Sequence, residues 1–290
     1  MSYRLTWCIP HAELDAAQSL LAEIAPWGWE EITEIEQNRV HVHVQEKAQL
    51  RDIKKRIARA WPQAQLSWTH EQDEDWQTAW QFFFQPIEVA STFRVLPPWK
   101  REEVPAEEGL TQLIVHPKMA FGTGHHPSTR LCLQAMVMLQ DTGLWPQGEQ
   151  VLDVGTGSDI LAVAAALLGS SCLALDIDPV TMDNAKENAQ ANGVLEKIGL
   201  FCGDIRALRQ GTTFPLVVAN ILAGPLIRMA PELSACCAPA GTLLLSGVLQ
   251  SQVESVAQAY ALQGLGKPQV MPFEEWAALV WTREAEGRRV

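Results

Sequence analysis

Gln150-Val-Leu-Asp-Val-Gly-Thr-Gly-Ser-Asp-Ile-Leu-Ala162 decides the fold of this 290-residue chain. Val151 to Val154 is an apolar run broken only by Asp153, the pattern of a buried strand. Gly155 and Gly157 follow, and then Ile160 to Leu168, an apolar, alanine-rich run long enough for a helix. Strand, glycine turn and helix open a nucleotide-binding βαβ unit. The glycines let the backbone approach a ligand because no Cβ stands in the way.

The spacing narrows the ligand. A dinucleotide fingerprint needs a third glycine where this chain has Ile160, and a Walker loop needs a Lys-Ser/Thr ending that is absent. What remains is Asp-x-Gly-x-Gly, with a second acid, Asp176, closing the next strand over Cys172 to Ile177. An acid about twenty residues on, at a strand end, is placed to accept from ribose hydroxyls. A structural turn without a ligand is the competing reading, and the second acid weighs against it. The pattern resembles the first motif of S-adenosylmethionine-dependent methyltransferases.

The net charge of -12 speaks against a general nucleic-acid binder, which carries a basic face. It suits a cationic partner, although acidity alone also keeps a chain soluble. Met1 to Pro10 lacks the basic start and apolar core of a secretory signal, and no stretch has the length of a membrane span. The six cysteines show no metal spacing, with Cys236 and Cys237 adjacent and the rest scattered. A cytoplasmic, reduced setting is expected.

Upstream, the pattern predicts strands at Arg4–Ile9, 27–35, around Val40, Val42 and Val44, and at Gln65–Thr69. Helices are expected over Ala12–Ile24 and Lys47–Trp61. The order βαββαβ implies a small ferredoxin-like domain. His41 and His43 share a strand face without an evident third ligand, so a solvated face is expected rather than a metal site. Acids at 71–75 and the aromatics Trp76, Trp80, Phe83 and Phe84 read as a linker. Met119-Ala-Phe-Gly-Thr-Gly-His-His-Pro-Ser-Thr-Arg130 is a glycine loop entering a helix, able to hold an anion, with Ser128 or Thr129 as its cap.

Downstream, βα units repeat. Asp178 reads as an N-cap and Pro179 as the first helical residue, which leaves Asp176 for the ligand. Asp204, past the strand Ile198–Cys202, either meets an adenine amino group or makes a simple turn. Asn220 ends the strand that starts at Pro215; its amide oxygen can hold an amine, or it caps the following helix. Strands at Thr242–Leu245 and Trp276–Trp281 complete a doubly wound sheet.

With these residues in hand, the chain resembles bacterial ribosomal protein L11 lysine methyltransferases over nearly its whole length. The marks are Met119-Ala-Phe-Gly-Thr-Gly-His-His-Pro, Asp176-Ile-Asp-Pro and Val217-Val-Ala-Asn-Ile-Leu-Ala-Gly-Pro225. The resemblance implies an α/β architecture, a seven-stranded Rossmann-like methyltransferase sheet at 91–290. It is preceded by a substrate-recognition domain at 1–70 and an aromatic linker at 71–90. It implies S-adenosyl-L-methionine as cofactor, contacted by Thr129, Gly155, Asp176 and Asn220, with Gly157, Asp204 and Phe121 also expected there. Asn220 is the residue expected to act on the amine, and no metal is expected. It implies a large-subunit ribosomal protein free of the ribosome as partner, and a monomer without membrane or direct nucleic-acid contact is expected. A different amine or amide acceptor stays open, although Ile221-Leu222 after Asn220 departs from the amide-specific Asn-Pro-Pro-Tyr. So does a partner-binding protein with a weakened cofactor site. That second alternative rests on Asp159, where the family usually has glycine. A partly solvated acid there favours the helix start but sets bulk and negative charge near the cofactor carboxylate.

Overall fold

The structure, a computed structural model, describes residues 2–25, 28–33, 37–44, 46–71, 84–105, 107–117 and 124–282. The chain divides into two compact units, 1–83 and 84–290.

In the first unit β1 (Ser2–Pro10), α1 (Leu14–Ile24), β2 (Glu30–Thr33), β3 (Gln37–Val44), α2 (Lys47–Ala60) and β4 (Gln65–Glu71) follow the expected order. The sheet runs β2-β3-β1-β4 and is antiparallel throughout. Leu5, Trp7 and Ile9 of β1 and Val40, Val42 and Val44 of β3 alternate onto one face, as a period of two requires. Leu50, Ile53 and Ile57, at helical spacing on α2, meet them in one core. The opposite face departs from expectation at one point. His41 is buried, and its Nδ1 lies 2.9 Å from Thr6 Oγ1 across the ladder, so this ring is part of the sheet's packing. Burial, with Arg4 nearby, lowers its pKa. His43 remains half-exposed near Glu30.

The second unit opens with a small sheet of β5 (Ile87–Val89), β6 (Phe93–Leu96) and β7 (Thr111–Ile114). The linker aromatics at 76–83 and the glycine loop at 118–123 lie outside the described residues. Then come α3 (Pro127–Asp141), β8 (Gln150–Val154), α4 (Ile160–Leu167), β9 (Ser171–Asp176), α5 (Pro179–Ala191) and β10 (Ile198–Cys202). β11 (Phe214–Asn220), α6 (Ala223–Arg228), α7 (Ala230–Cys236), β12 (Cys237–Leu249), α8 (Val253–Ala261), β13 (Gln269–Phe273) and β14 (Trp276–Thr282) complete it.

The large sheet has the order β10-β9-β8-β11-β12-β14-β13. Five strands are parallel, and β14 and β13 pair antiparallel at one edge. One core packs residues of α3 and α4 on the sheet, and a second packs α6, α7 and α8 on the other face. Successive strands step outward from β8 to β10 and then return to β11 on the other side of β8. That reversal opens a crevice at the carboxyl ends of β8 and β11, the place where open α/β sheets bind ligands. β13 has no counterpart in the sequence reading: Pro272 and mostly exposed or half-exposed residues obscure its alternation. β12 spans 13 residues, Cys237–Leu249, far more than the Thr242–Leu245 expected, and its pairing with β14 shifts register between Leu245 and Val248, where Gly247 has a positive φ.

Candidate cofactor and substrate site

Gly155 leaves β8 with φ +77°. A Cβ built on it would lie 2.5 Å from Ile221 Cγ2, so both backbone shape and space demand glycine. The N–H groups of Gly155 and Thr156 donate to Leu175 O at 2.8 and 3.0 Å, which ties the turn to β9. The Gly157 N–H donates to Asp176 Oδ2 at 2.9 Å, and the Asp178 N–H to Asp176 Oδ1 at 3.0 Å. Two backbone donors thus aim the Asp176 carboxylate while its remaining lone pairs face the crevice. Asp178 caps α5 through Val180, as expected.

Asn220 ends β11, 8% exposed. Its Nδ2 donates to Thr129 Oγ1 at 3.2 Å, which fixes the amide so that Oδ1 is the open acceptor, buried and without a partner. Asn220 does not cap the next helix, whose N-cap is Leu222. Thr129 is fully buried and reaches the site through Asn220. The cap of α3 is neither Ser128 nor Thr129 but His126, whose Nδ1 accepts from the Ser128 N–H at 3.3 Å and lies 2.8 Å from Ser128 Oγ. With Nδ1 accepting, the neutral ring carries its proton on Nε2. Burial lowers the His126 pKa against the opposing pull of Glu274 and Glu275, and the ring stands edge-on to Trp276 with centroids 4.6 Å apart.

Asp204 lines the crevice, but Arg206 holds it: Nε at 3.0 Å, Nη2 at 2.8 Å and the backbone N–H at 2.9 Å. Those hydrogen bonds pull its pKa down to about 2. It is the cap of a turn, as the second sequence reading has it, and it also lines the crevice. Phe121 lies outside the described residues. Asp159 overturns its expectation. It is 0% exposed, its φ is +69°, and its carboxylate turns inward to Thr156 and makes no cap hydrogen bond. It is neither solvated nor a prop for the helix start.

Gly155, Gly157, Asp176, Asp204 and Asn220 border one cavity of about 850 Å³, within the usual size range for small-molecule sites. Sequence reasoning missed His126 and Trp276 as wall residues, and Leu222, Pro225 and Arg228 along the far side. His126 carried a signal, since a histidine before Pro127 at a helix start can act as a cap. Among the described residues no group of three or more His, Cys, Asp or Glu is placed to hold a metal, and no helix is long and apolar enough to cross a membrane.

A carboxylate with lone pairs left at Asp176, a turn with no room for a Cβ at Gly155 and an unpartnered amide oxygen at Asn220 fit S-adenosylmethionine. Sheet order and site define an S-adenosylmethionine-dependent methyltransferase of the Rossmann-like class. The family model described as Ribosomal protein L11 methyltransferase (PrmA) matches residues 14–284. A ribosomal protein L11 methyltransferase of Syntrophotalea carbinolica is 42% identical over 213 residues, 73% of this chain and 67% of that protein. One from Heliobacterium modesticaldum is 38% identical over 232 residues, 78% of this chain and 71% of that protein. The crystal structure of the ribosomal protein L11 methylase of Lactobacillus delbrueckii subsp. bulgaricus superposes with a TM-score of 0.61 at 32% identity, covering 70% of this chain and all of that one. The chain belongs to the ribosomal protein L11 methyltransferase family.

Proposed function

We propose that this chain methylates lysine side-chain amino groups, and the N-terminal amino group, of ribosomal protein L11. The observation that carries this reading is Asn220: a rigid, buried amide whose only open group is an acceptor, at the carboxyl end of β11. Bound S-adenosylmethionine supplies the electrophilic methyl group. A lysine ammonium, with a reference pKa of about 10.4, has no lone pair to attack with. Ile221, Leu222 and Pro225 make that wall apolar, which favours the neutral amine. Asn220 Oδ1 accepts an amine N–H and so points the nitrogen lone pair away from itself. His126 is not a base at Nε2, which already bears hydrogen, and the proton leaves to water at the open end of the crevice.

Residues 1–70 are the recognition domain in this reading, joined by 71–90 to a catalytic domain at 91–290. The protein acts as a cytoplasmic monomer on L11 free of the ribosome, without direct nucleic-acid contact. Gly157, Thr129, Asp204 and Phe121 complete the cofactor site. Asn220→Ala should lower kcat by about 100-fold while changing S-adenosylhomocysteine affinity by less than about threefold, as for loss of one preorganised group. Methylation of purified L11 followed by mass spectrometry, with calorimetry for affinity, checks this. Equal losses in rate and affinity would reduce Asn220 to a cofactor contact.

A further inference from the structure

Behind the glycine turn lies a group that cofactor binding does not explain. Thr156 Oγ1 lies 2.7 Å from Asp153 Oδ2 and 3.0 Å from Asp159 Oδ1. Both carboxyl groups are buried, at 1% and 0% exposure, and each has a second oxygen without a partner. A threonine hydroxyl has one hydrogen. It serves one carboxylate, and the other contact is a hydrogen bond only if that carboxyl brings its own proton. Two ionised carboxylates across one hydroxyl, away from water, would repel without compensation.

We propose that Asp159 is a positioning residue that carries a proton: its carboxyl donates to Thr156, Thr156 donates to Asp153, and this chain locks the turn that presents Gly157 and Asp176 to the cofactor. The proposal rests on the cofactor site described above. The coupling is short. Thr156 is tied to Leu175 by its N–H, the Asp159 N–H donates to Thr156 O at 2.9 Å, and the next residue of the turn, Gly157, holds Asp176. Among the described residues, the titratable groups facing the pair are Asp176 and Cys172 from β9 and Cys132 from α3; none of these is a cation. α5 contributes the neutral Asn188, bonded to Ser158 O, and β11 sets Val218 beside Asp153. Burial accordingly raises Asp153 to about 7 and Asp159 well above the carboxylate range, each opposed by the Thr156 hydrogen bond. The sign follows. The folded form binds more protons than the unfolded one, so this pair's contribution to stability is complete in acid and is lost as pH rises through the elevated folded values.

Asparagine is the fitting test. Its amide can donate to Thr156 as a protonated acid does, it has no charge to lose, and it tolerates the left-handed backbone. At about pH 7, Asp159→Asn should bind S-adenosylhomocysteine within about threefold of the parent, and Asp159→Ala about tenfold more weakly. Between about pH 7 and pH 9.5 the parent should lose affinity by roughly tenfold or more, and the asparagine form should not. Melting of the apo proteins over the same range should show the same contrast, and at about pH 8.5, above the value of about 7 for Asp153, the infrared band of a protonated carboxyl should be present in the parent and lost in Asp159→Asn. Parallel pH slopes in the two forms, or no such band in the parent at that pH, would overturn the proposal. Failure of the parent to bind S-adenosylhomocysteine at any pH would instead overturn the cofactor site, and the apo melts and the infrared band would still decide the proton.

Discussion

At the scale of residues, the site works by leaving a few polar atoms deliberately open. Asp176 is aimed by two backbone N–H groups, whereas Asp204 is paired with the Arg206 guanidinium and keeps a lone pair on Oδ2 alone. The two acids therefore differ in what they can contribute, although their sequence settings look alike. Asp176→Ala removes a charged acceptor and should weaken S-adenosylmethionine binding by roughly 1.5–3 kcal/mol. Isothermal titration measures this, and unchanged affinity would remove Asp176 from the ribose. Asp159 shows how backbone conformation inverts an argument from propensity. Glycine is a poor helix interior residue, but at φ +69° it is the residue that fits without strain. Aspartate, one of the few other residues that tolerate it, holds that conformation here with Thr156 as a partner.

At the scale of elements, the β8–α4 connection does most to place the site. Its strand is fixed between β9 and β11, and its helix is buried almost throughout, from Ile160 to Ala166. Both ends are immobile, so a change in the turn cannot be absorbed by shifting either one. Gly155→Ala would put a methyl group against Ile221 and an L-residue at φ +77°. It should cost about 1–3 kcal/mol of stability and displace Ile221 from the substrate wall. Thermal melting reads the first effect, and a lowered L11 methylation rate in the fraction that remains folded reads the second. A parent-like Tm would mean that the turn is softer than its hydrogen bonds indicate.

At the scale of the whole molecule, the described residues form separate cores, one in the first unit and two in the second. Each core is built from elements of its own unit, so the second carries its own stability. Removing residues 1–70 should leave S-adenosylhomocysteine affinity within about twofold, as expected for a domain with an independent core, and should abolish methylation of L11. Full-rate methylation by the shortened chain would separate recognition from the first unit. The acidic balance of -12 belongs to this scale too. An acidic surface speeds encounter with a cationic partner, so the rate on L11 should fall with salt more steeply than cofactor affinity does.

The sequence by itself determined the alternation of elements, because apolar periodicity and glycine turns are local properties that need no partner to be read. It placed Gly155, Asp176, Asp178 and Asn220 at strand or helix ends, where the structure has them. Only the tertiary structure decided which atoms of those residues remain available. Asn220 Oδ1 is open because Thr129, 91 residues earlier, takes the other end of the amide. Asp204 is paired with Arg206, and His126 caps α3 because its ring turns back onto Ser128. Asp159 was misread for the same reason. A sequence shows that an acid stands at a helix start, but burial and backbone angle decide whether it meets water, a ligand or another acid. These depend on packing against β8 and β9, segments that no local pattern brings to the same point.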